Sequence, residues 1–291
     1  MNKLLDFCVY LWSWITTFGV FLIVGCLLWF LISRGLPTFG KELFFGDVPV
    51  WQAISGQTRV WDALWPACIG TLSLVLLAAL MAVPLGIASG IYLACFASTP
   101  FKRILSLSVE LLAGTPSIVM GLFGFALILF LRNTFLPDAN TCLLLAAICL
   151  ALLILPYLIF TTQAALESLS ADYRLIGPSL GLNQLQTLFY ILLPAASRGI
   201  MGGVILSLGR AAEDTAVIML TGVIANAGLP HGLFGKFEAL PFRIFYLAAE
   251  YQTPAELDSA FGTALVLLCL TGILYGSAFV LHKTLEWRWN Q

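Results

Sequence analysis

Long intervals without a charged side chain recur along this chain, and they constrain its fold more than any motif does. Phe7–Ser33, Ala63–Phe101, Thr141–Thr162 and Ser259–Leu281 hold no Asp, Glu, Lys or Arg, and Ile104–Leu131 holds only Glu110. About 20 apolar residues suffice for a helix to cross a bilayer's hydrocarbon core, and each interval has that reach. Apolar residues make up 60% of the 291 and charged residues 10%, where a soluble domain carries about 25% charged. The chain is therefore read as an integral membrane protein, all-α and polytopic.

Taken in order, Phe7–Ser33 is an uncleaved first span, since its apolar part exceeds a signal peptide's and lacks a small-residue cleavage site. Residues 34–62 form a mixed, partly ordered segment, with Trp51, Trp61 and Trp65 suited to an interfacial belt. Ala63–Phe101 holds a second span, kinked by Pro84 with Gly86 and Gly90. The basic turn STPFKR precedes a third span over Ile104–Leu131. The fourth span covers Thr141–Thr162. Leu175–Ser197 is charge-free too, but Gly177, Pro178, Ser179, Asn183, Gln184, Gln186 and Thr187 make it too polar for lipid. Leu182, Leu185, Phe189 and Leu192 or Leu193 recur there at helical spacing, which predicts an amphipathic surface helix.

A fifth span is expected from Pro194 or Ala195 to about Ile224, then a turn-rich segment with a short helix near Pro241–Glu250, and a sixth span over Ser259–Leu281. Six transmembrane helices put both termini on one side. The units are an anchor helix with its outer segment (1–62), a transmembrane domain (63–284) with a loop at 163–193, and a tail (285–291). With the termini inside, Lys3, Lys102, Arg103, Arg174, Arg198, Lys283 and Arg288 lie on the inner side. Arg34, Lys41, Arg59, Arg132, Lys236 and Arg243 lie outside, so the charge bias is slight and only the short Lys102–Arg103 turn tips it.

Several function classes drop out. A net charge of −1 does not suit nucleic-acid binding. The seven cysteines sit mostly inside apolar runs with no CxxC pair, and His231 and His282 stand alone, so a zinc site lacks ligands. No Walker A sequence occurs, so any ATP has to be hydrolysed by another chain.

What stands out is charge at membrane depth. Arg210, Glu213 and Asp214 lie within the fifth span, three and four residues apart, which on a continuous helix is one face. A charge at mid-bilayer costs about 2.5–3.5 kcal/mol on insertion scales, so partners or a function must offset it. Arginine's planar fork matches a tetrahedral oxyanion, and the cluster is read as facing a substrate pathway, with a carboxylate holding Arg210 when no anion is bound. The alternative is an ion network that only fixes helix packing. Gly199, Gly203, Ser207 and Ala211 recur every four residues on the same span, a stripe for close approach of another helix. In GTPSIVMGLFG (Gly114–Gly124), Thr115 and Ser117 are the side chains able to donate to an anion.

The stretch from Pro156 to Gly222 resembles the membrane subunit of ABC importers of type I. Gly181, Ile191, Leu193 and Pro194 fall in the register of that family's cytoplasmic loop, EAA, three residues, Gly, nine residues, Ile, one residue, Leu-Pro. The EAA triplet itself is absent, its places being Leu175, Ile176 and Gly177. PLGIASGIYL (Pro84–Leu93), TPSIVMGLFG (Thr115–Gly124), GRAAEDTA (Gly209–Ala216) and LPFRIF (Leu240–Phe245) narrow the resemblance to phosphate permeases, PstA-type. Two further departures are Glu213 and Asp214 where that family reads Gly and Glu, and Phe160 where it tends to carry a basic residue.

The resemblance implies a non-catalytic subunit of an ATP-driven importer of inorganic phosphate in a bacterial or archaeal cytoplasmic membrane. It also implies a second, homologous permease, two ATP-binding cassette subunits that bind ATP and Mg²⁺, and an external solute-binding protein, with no cofactor on this chain. Gly181 would make a tight turn between two short helices, and Asp172, Tyr173, Arg174, Leu175 and Ile176 would dock on an ATPase, the apolar ones as anchors and the charged ones at the rim. A lipid-surface helix would instead want a basic face, and beside Glu167 and Asp172 only Arg174 is basic. Permeases for molybdate, tungstate or sulfate are the alternative cargo reading, and an ion-coupled secondary transporter is a more distant one.

Overall fold

A computed structural model describes residues 3–289 except 57, 59 and 62, with backbone alone for 3–5, 281, 282 and 285–289. Arg59, expected on the outer side, lies outside the described residues, as do Asn290 and Gln291 of the closing segment. The described chain is helical. Its elements are α1 (Lys3–Gly35), α2 (Lys41–Phe45), α3 (Val50–Ser55), α4 (Trp65–Cys95), α5 (Thr99–Ala113), α6 (Ser117–Thr134) and α7 (Leu143–Glu167). After them come α8 (Ala171–Ser179), α9 (Gln184–Thr187), α10 (Leu193–Glu213), α11 (Ala216–Thr221), α12 (Leu240–Glu250) and α13 (Pro254–Trp289). Among the described residues six helical stretches are long and apolar enough to cross a membrane. The protein is a multi-pass membrane protein.

The middle of the bundle is α7, whose Ala146, Ala147, Cys149, Leu150 and Leu158 are fully buried. Small residues let its neighbours come close. A Cβ at Gly86 of α4 would lie 2.5 Å from the Leu158 Cβ, and one at Gly90 would lie 2.6 Å from the Thr162 Cβ. On the other side, a Cβ at Gly199 of α10 would lie 2.6 Å from that of Ala165, and at Gly203 it would overlap the Thr161 hydroxyl. The small-residue stripe of the fifth span is thus the seam between α10 and α7. α1 stands apart, its apolar length exposed, and meets α13 only near its C-terminal end. There Phe30 packs edge-on to Phe261 and Arg34 pairs with Asp258 at 3.1 Å.

Two spans differ from expectation, both where the chain breaks. The third was expected as one helix over Ile104–Leu131; instead Gly114, Thr115 and Pro116 interrupt it, and only α6 is a membrane-length helix. Proline disfavours helical backbone in the residue before it, and Pro116 itself is extended (φ −61°, ψ 143°) as the cap of α6. The fifth was expected to run to Ile224, but α10 ends at Glu213 because Asp214 is extended (ψ 122°), and α11 is a separate six-residue helix. At its other end the fifth span starts earlier than Pro194. A π turn over Leu188–Leu192 joins α9 to α10, so the predicted surface helix and the span are one rod from Gln184. Pro194 has no N–H and its ring crowds the carbonyl four residues back; a wider turn accommodates both.

Smaller shifts have the same character. α7 runs on to Glu167, so the loop after it starts later than 163, and α13 begins at Pro254 and stays helical to Trp289, through most of the closing segment. At one end of the bundle lie α8, α9 and the turn before α5, where Lys102 pairs with Glu167. At the other end, residues 222–239 fold back over the start of α7. Cys142 and Leu143 donate to the Thr221 and Gly235 carbonyls, and Leu144 to Leu233. These bonds occupy N–H groups that a helix N-terminus cannot satisfy within itself. Glu238 is buried beneath this cap, accepting from the Gly228 N–H at 2.8 Å and lying 3.8 Å from the Arg243 guanidinium.

Candidate functional site

Arg210 sits in the last turn of α10, and its guanidinium lies over the ring of Tyr157 with the carbon 4.8 Å from the centroid. Tyr157 is near the midpoint of α7, so the charge is at mid-bundle depth, as its place in the sequence suggests. Arg210 and Glu213 are both exposed on the surface of the single chain. Hydrocarbon does not accept such a pair, so this face of α10 fronts protein or water.

The three charges do not form the cluster a continuous helix would make. Asp214 has left the helix. Its Oδ1 accepts from the Val217 N–H at 2.9 Å, and Ser117, at the start of α6, lies near its carboxylate. The acid therefore binds the first turn of α11, beside the start of α6. Among the described residues Arg210 forms no ion pair with either carboxylate. The expectation that a carboxylate would hold it in the empty state is not what the geometry shows, because the break at Asp214 turns that side chain toward α11. Ser117 thus joins the cluster through Asp214. Thr115 does not; its hydroxyl donates to the Leu112 carbonyl at 2.6 Å and closes the end of α5.

The glycines of GTPSIVMGLFG serve packing. A Cβ at Gly121 would come 2.9 Å from the Ala216 carbonyl oxygen, and one at Gly124 would come 2.5 Å from the Cys149 sulfur. The break in the fifth span is braced by that contact, which explains how an extended residue survives at membrane depth.

Sequence reading missed two tyrosines. Tyr157 lies within an apolar run, a lone polar-tipped aromatic just after Pro156. Tyr275 of α13 packs on Gly209, where any Cβ would overlap its hydroxyl. That glycine, one residue before Arg210, is therefore a seat for a ring.

The loop between the fourth and fifth spans is built as its residues suggest. Gly181 has φ +75°, with nothing near the place of its missing Cβ, so the conformation alone selects glycine. Leu182 N–H donates to the Gly177 carbonyl and Gly181 N–H to Pro178, both at 3.0 Å, the double bond pattern that ends many helices on glycine. Asn183 and Gln186 then cap each other to begin α9. Gly177 is the one buried residue of α8, and a Cβ there would overlap the Thr187 hydroxyl. Asp172, Tyr173, Arg174, Leu175 and Ile176 all point outward, with Leu175 63% exposed. Among the described residues nothing covers this apolar surface.

A polar cleft of about 820 Å³ opens at the opposite end, lined by Glu42, Arg243, Glu250, Glu256 and Asp258 among others. It lies between the segment after α1, α12 and the start of α13, and Arg210 does not line it.

Comparison with known proteins agrees with this architecture. Residues 82–290 match the family described as "Binding-protein-dependent transport system inner membrane component". The phosphate transport system permease protein PstA of Mycobacterium leprae is 34% identical over 226 residues, 74% of this chain and 70% of that one. The PstA protein of Haemophilus influenzae is 29% identical over 261 residues, 88% and 87% of the two chains. In structure the chain resembles the MetNI methionine ABC transporter in inward-facing conformations, with TM-score 0.58, 16% identity and coverage of 76% of this chain and 93% of that one. It also resembles a bacterial ABC transporter that imports the acidic polysaccharide alginate, with TM-score 0.56, 14% identity and 94% and 99% coverage. The family match takes in the glycine turn at Gly181, the Leu193-Pro194 start of α10 and the Arg210 face, and the chain belongs to the family of binding-protein-dependent transport system inner membrane components.

Proposed function

We propose that this chain is the permease subunit of an ATP-driven importer of inorganic phosphate in a prokaryotic cytoplasmic membrane, and that Arg210 binds the anion as it crosses. The observation that carries the reading is an exposed guanidinium at mid-bundle depth, unengaged by carboxylate, in a chain whose relatives are phosphate transport permeases. A guanidinium edge offers paired donors to tetrahedral oxygens. Withdrawing Asp214 toward α11 removes one of the two acids that would otherwise repel a doubly charged anion, leaving Glu213 on the exposed face.

A second permease would complete the pathway, since one arginine face makes one wall. α8 would dock on an ATPase subunit through Tyr173, Leu175 and Ile176, with Asp172 and Arg174 at the rim, and ATP with Mg²⁺ would be bound by that partner. Closure of the ATPases would then move α8, and the rod from Gln184 to Glu213 would carry the motion to Arg210. An external binding protein would deliver the ion at the opposite end. Thr115, which faces its own helix end, is not part of this pathway.

Uptake by the reconstituted transporter with its cognate binding protein tests both halves. Phosphate accumulation that Arg210→Ala abolishes while the complex still assembles supports the reading. Normal uptake in assembled Arg210→Ala removes the arginine from the pathway, and molybdate, tungstate or sulfate uptake in place of phosphate corrects the cargo.

A further inference from the structure

Arg210 needs something to aim it, and among the described residues one ring lies over it. A guanidinium on a flexible side chain loses rotamer entropy whenever it is fixed on a ligand. Asp214 is occupied with the Val217 N–H, and Glu213 makes no ion pair with the arginine. Among the described residues the Tyr157 ring is the one that lies against the guanidinium, its centroid 4.8 Å from the carbon.

The base of that ring is rigid. Pro156 and Leu158 on either side are buried, Leu158 fully so, and Leu158 meets Gly86 of α4. One turn on, Thr161 fills the space that Gly203 of α10 leaves open. The helix that carries the ring is thus keyed to the helix that carries the arginine.

Chemistry makes the contact more than packing. An aromatic face engages the flat face of a guanidinium. The N–H edge stays free, and that edge is what takes an oxyanion in two parallel hydrogen bonds. A carboxylate partner would occupy the same edge and would have to be displaced by each ion.

We propose that Tyr157 is a positioning residue for the transported anion, holding the Arg210 guanidinium by its face so that its edge is presented to a tetrahedral oxyanion. The proposal rests on the assignment of Arg210 to the pathway. Its effect is on passage through the membrane, downstream of capture by the binding protein. It therefore shows as phosphate moved per ATP hydrolysed.

The test uses the full transporter in proteoliposomes with binding protein and radiolabelled phosphate, scoring uptake and ATP hydrolysis together. Tyr157→Phe keeps the ring and retains native uptake within about twofold. Tyr157→Leu and Tyr157→Met fill the space without a ring face, and phosphate moved per ATP falls about three- to tenfold, the range of one such contact, while ATP hydrolysis and complex recovery hold. Native uptake in both ringless variants beside an inactive Arg210→Ala overturns the positioning role and leaves the arginine's. Native uptake in Arg210→Ala overturns the assignment beneath it. A deficit in Tyr157→Phe equal to that of the ringless variants, or a parallel fall of uptake, hydrolysis and recovery, also overturns the proposal, since the hydroxyl or simple packing would then account for the residue.

Discussion

The carboxylate of Asp214 accepts the backbone N–H of Val217 at 2.9 Å, so an acid that spacing alone sets beside Arg210 is the cap of the next helix. This one bond divides the charged turn into a structural half and an exposed half.

Asp214→Asn keeps a side-chain acceptor and is expected to melt within a degree or two of the native protein, whereas Asp214→Ala loses the cap, worth about 1 kcal/mol, and melts about 2–4 °C lower. Phosphate uptake should fall in the same order. Thermal unfolding in detergent and uptake assays on both variants check this; inactive but stable Asp214→Asn would show that the charge itself is needed.

Gly177→Ala should separate α8 from α9, because the added methyl meets buried Thr187. Recovery of the partner ATPase on affinity purification is expected to fall at least severalfold. Tyr173→Ala with Ile176→Asp, which alter the exposed face and leave the Gly177 contact alone, should give the same loss without lowering the melting temperature of the isolated subunit.

Gly203→Leu places a bulky side chain where α10 lies on Thr161. Overpacking of this kind costs about 1–3 kcal/mol, and a lower melting temperature with reduced yield is expected. Gly202→Leu, one residue along and facing open space, is the control and should be near native.

Glu238→Ala removes the carboxylate from a guanidinium only 13% exposed and takes away the acceptor for Gly228. Removing one partner of a buried ion pair costs up to about 3–5 kcal/mol. Hydrogen exchange over residues 223–239 should quicken by at least tenfold, with Glu238→Gln intermediate because it keeps an acceptor.

Much of the fold was legible because lipid imposes a simple code. A charge-free run long enough to cross has to be a helix, and four of the six spans were readable that way, the third holding only Glu110 and the fifth carrying Arg210, Glu213 and Asp214. The glycine turn was legible for a local reason too: Gly181 needs a backbone that other residues avoid, and its neighbours Asn183 and Gln186 cap the start of α9. The breaks were harder. Pro116 was visible, but proline inside Pro84's and Pro156's helices is tolerated, so its presence alone does not separate a kink from a stop. Asp214 carried no breaker signal at all.

By itself, then, the sequence determined a six-span helical membrane protein, its polar loop between the fourth and fifth spans, and an arginine at depth, since hydropathy and backbone conformational limits act on neighbouring residues. Only the tertiary structure decided where the fifth span stops and what Arg210 touches. α6 braces the break through Gly121, and α7 supplies the ring of Tyr157. Those contacts join segments far apart in the chain, and no local periodicity encodes them.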